Sequence, residues 1–293
     1  MNFFTRRLFL RSGLGAAGGW LAASRTPVVA APRPDDPYTA ALAMDPDPTQ
    51  RLAIVNADDL GMSEEIDRGI FEALDRGIVT SASLIVDGPH AIEAVHQARQ
   101  RTDVSLGLHV AFDRRGQWFV NMQDQAAVER ELTRQLEAFE RLTGGPPTHI
   151  DSHHHAHRLF NVAWLFLEAG ARYRVPVRGF SEVYFVGRFW GQPEFGHTDV
   201  TKISTDYLLS ILKSLGPGVS EISCHPGRRE TRPDALYNRE RELELRSLCD
   251  AKVKAAIAAD GIRLISFREY RQIAGRGVGR LLAGGCTPTA ASR

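Results

Sequence analysis

Two adjacent aspartates and a knot of histidines are the most concentrated groups of acid, base and metal-ligand side chains in this sequence. Asp58 and Asp59 stand in N-A-D-D-L-G-M-S at 56–63. Like charges this close repel unless a cation or a proton lies between them. The plainer explanation is a helix cap, with Asp59 or Ser63 closing the turn before a helix. Five of the ten histidines fall within nine residues, at His149, His153, His154, His155 and His157, in T-H-I-D-S-H-H-H-A-H. With Asp151 among them they point to a metal site, imidazole being the commonest metal ligand. Three consecutive histidines cannot all face one ion on a strand, where successive side chains alternate faces. Some must support rather than bind. Single histidines follow in G-L-H at 107–109 and S-C-H-P-G at 223–227, each weak alone. Together the four segments supply what metal-assisted hydrolysis needs. That is one carboxylate and two imidazoles on a metal, open positions for water and substrate, and a separate acid and base.

Two rival readings use the same residues. Two histidines and one carboxylate also suit a non-haem iron oxygenase, which would leave the second aspartate and His225 without work. The other is an exported sugar-binding protein that keeps the site without catalysis. The stretch 180–197, F-S-E-V-Y-F-V-G-R-F-W-G-Q-P-E-F-G-H, is unusually aromatic for a loop, and Trp190 and Tyr184 in it could form a platform for a sugar ring.

Strands are expected at 52–56, 80–86, 104–110, 148–151, 175–179, 219–224 and 262–267 to position these residues. Helices are expected between them at 64–76, 90–101, 125–142, 159–173, 205–215 and 238–260, on apolar residues at helical spacing and on glycine stops. Strands alternating with helices mean a parallel sheet. An open doubly wound sheet or a closed barrel would satisfy the pattern. Asp58-Asp59, His109, the 151–157 cluster, Arg178 and His225 all fall at C-terminal ends of expected strands. A barrel builds its site from several strand ends, whereas an open sheet uses mainly one switch point. The expected fold is therefore α/β, a single-domain barrel over 51–273.

At 293 residues, with 43% apolar and 24% charged residues, the chain has material for a sizeable core and is not a disordered polymer. Its formal charge of +1 offers no field for nucleic acid. Residues 1–31 hold four arginines and no acid, which leaves the remainder at −3. Three scattered cysteines, Cys224, Cys249 and Cys286, exclude a disulfide scaffold or a zinc knuckle. Arg6-Arg7 followed by Leu8-Phe9-Leu10 and an uncharged stretch from Ser12 to Ser24 resembles a twin-arginine export signal, too short to span a membrane. A periplasmic or secreted location follows, and lysine at both positions should hold the precursor back. Pro32, Pro34, Pro37, Pro46 and Pro48 make 32–50 a linker, and 274–293 reads as a loose tail.

In this order, I-V-N-A-D-D-L-G-M-S, G-I-V-T-S-A-S-L-I-V, G-L-H, T-H-I-D-S-H-H-H-A-H and S-C-H-P-G closely resemble the YdjC-like carbohydrate deacetylases. The family includes chitooligosaccharide and hopanoid-biosynthesis-associated deacetylases, and the resemblance covers about 52–270. It implies a distorted (β/α) TIM-like barrel, a divalent metal (magnesium or zinc), and removal of acetyl groups from N-acetylated sugars. Carried across, Asp59, His109 and His153 would hold the metal, Asp58 would be the base and His225 the acid, with Arg178 orienting Asp58. The chain departs from the family in its export signal and its short 110–125 connection. The expected partners are an N-acetylated sugar and, as an assembly, a homodimer; no nucleic acid and no stable membrane insertion are expected.

Overall fold

The computed structural model describes residues 49–274, except 102–103, 115, 193–196 and 232–236. The segment expected to be an export signal, nearly all of the expected linker and the expected tail beyond 274 lie outside the described residues. Among those described, seven strands form one parallel sheet. They are β1 (Arg51–Leu60), β2 (Ser81–Leu84), β3 (Ser105–Val110), β6 (Ile150–Ser152), β7 (Tyr184–Val186), β8 (Gly218–Cys224) and β9 (Ile262–Leu264). The order is β6-β3-β2-β1-β8-β7, with β9 also paired to the start of β1. A short antiparallel hairpin, β4 (Asp113–Arg114) and β5 (Gln117–Trp118), occupies the 110–125 connection. The helices among the described residues include α1 (Glu64–Arg76), α2 (Ala91–Arg99), α3 (Gln125–Thr143), α4 (Ala163–Tyr173), α5 (Thr205–Ser214), α6 (Asn238–Leu248) and α7 (Ala251–Ala259). The curled parallel sheet and its helices form a distorted, incompletely closed TIM-like barrel. No helix among the described residues is long and apolar enough to cross a membrane.

The period of two along each strand sorts residues between helices and lumen. On β1, Ala53, Val55 and Ala57 pack in the main core beneath the helices. Leu52 and Ile54 instead join Val183, Val219, Ile265, Phe267 and Tyr270 in a second apolar cluster that plugs the bottom of the barrel. Continuing up the same face come Asn56 and Asp58, so the interior passes from apolar to charged within one strand. Small residues on neighbouring strands leave room for this plug. Ser81 Oγ accepts from the backbone N–H of Phe267 and Ser105 Oγ from that of Arg268. A Cβ on Gly107 would lie 2.3 Å from the His149 ring. That ring stacks on Phe267 at 3.9 Å.

Four expectations need correction. Residues 175–179 do not form a strand: only Val177 bridges to Ile150, because Pro176 has no N–H to donate and Gly179 turns away at φ 72°. The segment 180–197 is not all loop, since it contains β7, paired to β8. The helix expected over 238–260 is two, broken at Cys249-Asp250, where the Asp250 side chain accepts from Lys252 N and caps α7. The helix expected at 159–173 begins only at Ala163.

Candidate active site

The adjacent aspartates share a face because β1 is bulged. Ala57 pairs with Ala82 and Leu60 with Leu84, so β1 carries one residue more than β2 between these pairs. The bulge puts Asp59 in left-handed backbone at φ 70°. Asp58 and Asp59 are both buried.

Oδ1 of Asp59 lies 3.3 Å from His109 Nε2 and 3.8 Å from His153 Nε2. It is buried and has no hydrogen-bond partner among the described residues. Both rings are held from behind by a carboxylate. His109 Nδ1 is 2.7 Å from Asp151 Oδ1, its register partner on β6, and His153 Nδ1 is 2.8 Å from Asp113 Oδ1 on β4. That arrangement engages Nδ1 of each ring and turns Nε2 inward, the nitrogen left for a metal ion. Burial alone would depress His109, yet Asp151 and Asp59 raise its pKa to about 10. The pocket favours positive charge at this point, which a divalent ion would also supply.

Two groups of three ligand-type side chains bring all their ligand atoms close to one another, Asp58–His109–Asp151 and Asp113–His153–His154. In the first, Arg178 already supplies the positive charge to both carboxylates. In the second, Asp113 is engaged with Nδ1 of His153, which leaves the opposite nitrogen of that ring for Asp59. Asp59 Oδ1, with no hydrogen bond among the described residues and an Nε2 atom of each histidine near it, is the carboxylate oxygen left free.

Arg178, fully buried, grips Asp58 with both terminal nitrogens at 2.7 Å, and reaches Asp151 and Glu221 at 2.7 Å each. It thus ties β1, β6 and β8 across the lumen. Burial would raise the Asp58 pKa, but the Arg178 charge outweighs it and holds the carboxyl below its usual range. Burial carries Glu221 up to about 7 despite the same arginine. His225, just past the end of β8, places Nε2 3.7 Å from Asp58 Oδ2. Burial pushes its pKa down to about 4.

Several participants have no signature in the sequence. Glu244 on α6 accepts from the His225 backbone N–H at 2.5 Å and from Tyr237 Oη at 2.6 Å, and stands 4.0 Å from His225 Nδ1. Arg241, one turn earlier, donates to Asp59 Oδ2 at 2.5 Å. Asp113 reaches the site through a hairpin of two-residue strands, too short to read from periodicity. Trp190 stacks on Tyr237 at 3.9 Å and meets His225 edge-on at 4.6 Å. Tyr184 is not brought to this cluster. It begins β7, 67% exposed, while its neighbour Phe185 faces Arg178 and His155. Of the remaining histidines, His149 belongs to the plug, and His157 bonds Ser152 Oγ and the Arg178 carbonyl. His154 is half-exposed beside Trp118, and His155 packs on Phe185. His154 and His155 both adopt left-handed backbone, at φ 54° and 52°, which turns the three successive rings in different directions.

The sequence model of one family, described as YdjC-like protein, matches residues 52–259. A protein of Geobacillus stearothermophilus named carbohydrate deacetylase is 32% identical over 255 residues, covering 76% of this chain and 99% of that one. Among solved structures, a candidate cellobiose-phosphate cleavage protein of Enterococcus faecalis superposes with a TM-score of 0.65 at 25% identity, over 75% of this chain and 98% of that one. The Xyl-CE4 domain of a multidomain xylanase from the hindgut metagenome of Trinervitermes trinervoides shares the fold, with a TM-score of 0.51 at 13% identity over 77% and 92%.

Proposed function

The chain belongs to the YdjC-like family, and from that premise we propose that it is a metal-dependent carbohydrate deacetylase that hydrolyses the acetamide of N-acetylated sugars. The relative from Geobacillus, named for that activity and matched over nearly its whole length, supports the reaction class. One observation carries the mechanism: Oδ1 of Asp59 has His109 Nε2 at 3.3 Å and His153 Nε2 at 3.8 Å, each histidine backed by a carboxylate.

Asp59, His109 and His153 would hold the ion. Two imidazoles with one carboxylate oxygen favour zinc over magnesium, which prefers oxygen donors. A divalent ion there would acidify a bound water and polarise the acetamide carbonyl. Asp58 is the base: Arg178 fixes both its oxygens, and Oδ2 faces His225. The proton leaving the water goes to Asp58. His225 is neutral in the resting site, because burial depresses it. The proton it gives to the departing amine is therefore acquired during the turnover, and Asp58 Oδ2, 3.7 Å away, is placed to hand it over. An amide nitrogen leaves poorly without that proton, so base and acid work in series. Trp190, against His225 and stacked on Tyr237, would offer its remaining face to a sugar ring. The arginine pair near the N-terminus supports export, so that the sugar would be met outside the cytoplasm.

The test is acetate release from N-acetylated oligosaccharides, before and after chelation and after zinc is returned. Release that stops with chelation and resumes with zinc is the expected result. Metal-loaded protein that releases no acetate, or that turns over only with dioxygen, would contradict the reading.

A further inference from the structure

We propose that Arg241 is a positioning residue that occupies Oδ2 of Asp59, so that only Oδ1 is presented to the ion; this rests on the metal-centred reading above. Arg241 lies on α6, outside all the strand-end segments that carry the rest of the site. Its Nη2 donates to Asp59 Oδ2 at 2.5 Å, and its Nη1 lies 3.5 Å from the carbonyl oxygen of His225. One guanidinium therefore connects the carboxylate ligand to the backbone of the residue proposed as acid. Oδ1 of the same carboxylate is buried and takes no hydrogen bond among the described residues. A charged donor on one oxygen of a carboxylate disfavours chelation through both and biases binding to the other.

The arginine is itself held in place. Its guanidinium lies 5.8 Å from the centre of the Tyr237 ring. Its stem packs on Gly227, where a Cβ would meet Arg241 Cδ and Cβ at 3.1 and 3.2 Å. On the other side of that loop, a Cβ on Gly69 of α1 would lie 2.3 Å from Gly227 Cα. Two glycines thus let α1, the 225–227 turn and α6 close around the arginine. Asp59 needs such an outside hold, because the bulge that turns it into the site leaves it a neighbourless position on the strand ladder. Without an ion the guanidinium also serves as the buried carboxylate's countercharge, which keeps the site formed until an ion arrives.

Cobalt(II) uptake and its d–d absorption read the coordination directly, beside kcat and KM, in wild type, Arg241→Met and Arg241→Lys. Methionine keeps the length but removes the charge and the fork. Arg241→Met is expected to melt as a folded protein and to bind Co(II) with an altered spectrum, since Asp59 is free to turn or to chelate. Its kcat should fall by about 10–100-fold with KM little changed, and Arg241→Lys should recover part of the loss. A folded Arg241→Met with wild-type spectrum and kcat would overturn the proposal. Should Arg241→Met fail to fold, Arg241→Lys decides, a shifted spectrum supporting the proposal and a wild-type spectrum and kcat overturning it. Wild-type protein that takes up no Co(II) would instead overturn the metal-centred reading itself.

Discussion

At the scale of single residues, the site is built in pairs, each inward-facing group set by a partner behind it. His109 is aimed by Asp151 and His153 by Asp113, while Arg178 fixes both oxygens of Asp58. The inward partners were legible in the sequence because they sit in short motifs rich in histidine and aspartate. Of the outer partners, Asp151 and Arg178 were legible too, and Asp113 was not; nor were Arg241 and Glu244. Asp113 sits in a connection with no periodicity, and Arg241 and Glu244 lie in a densely charged helix that reads as a solvated face. The two left-handed histidines were also beyond reach, since nothing in H-H-H announces that backbone. Asp113→Asn isolates one outer partner. It keeps an acceptor for His153 Nδ1 but removes the charge that makes the ring a better donor to an ion. Zinc affinity measured by competition with a chelator should fall about 10–100-fold, with the fold unchanged by circular dichroism. Unchanged affinity would mean that Asp113 serves only its hairpin.

At the scale of elements, the β1 bulge and the α1 turn after it work as a unit. Ser63 caps α1, accepting from Ile66 N, so a helix cap and two inward aspartates coexist within one turn, which the sequence could present only as alternatives. Asp67, a turn into α1, reaches back and accepts the Gly61 N–H at 2.6 Å, pinning the segment that carries Asp59. Its other oxygen is buried without a hydrogen bond among the described residues. Burial drives its pKa up to about 7, against the pull of that N–H. An acid raised on folding binds protons more tightly in the folded chain. Its contribution to stability is complete below about pH 4 and lost as pH rises through 7. Asp67→Asn keeps the acceptor for Gly61 and removes the charge. Relative to wild type it should gain on the order of 2–4 kcal/mol between pH 4 and pH 8, as read by urea unfolding at both. Parallel pH profiles for the two proteins would refute this account of Asp67.

At the scale of the whole molecule, the barrel is closed by charge where backbone pairing stops. The sheet path ends at β6 and β7, and the 175–179 segment adds only a bridge at Val177. Arg178, immediately after that bridge, reaches Asp58 on β1, Asp151 on β6 and Glu221 on β8. Strand alternation and polar strand ends made the barrel legible. Its incomplete closure was not, because Pro176 interrupts a run that is otherwise apolar and strand-like. Arg178→Met leaves Asp58, Glu221 and Asp151 without their guanidinium, Asp151 keeping His109, and should cost about 3–5 kcal/mol of stability; a loss below about 1 kcal/mol would place the closure elsewhere. In this site neighbouring aspartates are given different work, which is tested by metal content and kcat in Asp58→Asn beside Asp59→Asn. Asp58→Asn should keep its metal and lose ~10²–10⁴ in kcat, the worth of a general base, while Asp59→Asn should lose the metal and activity together. Metal lost from Asp58→Asn and kept by Asp59→Asn, or full activity in both, would contradict the account.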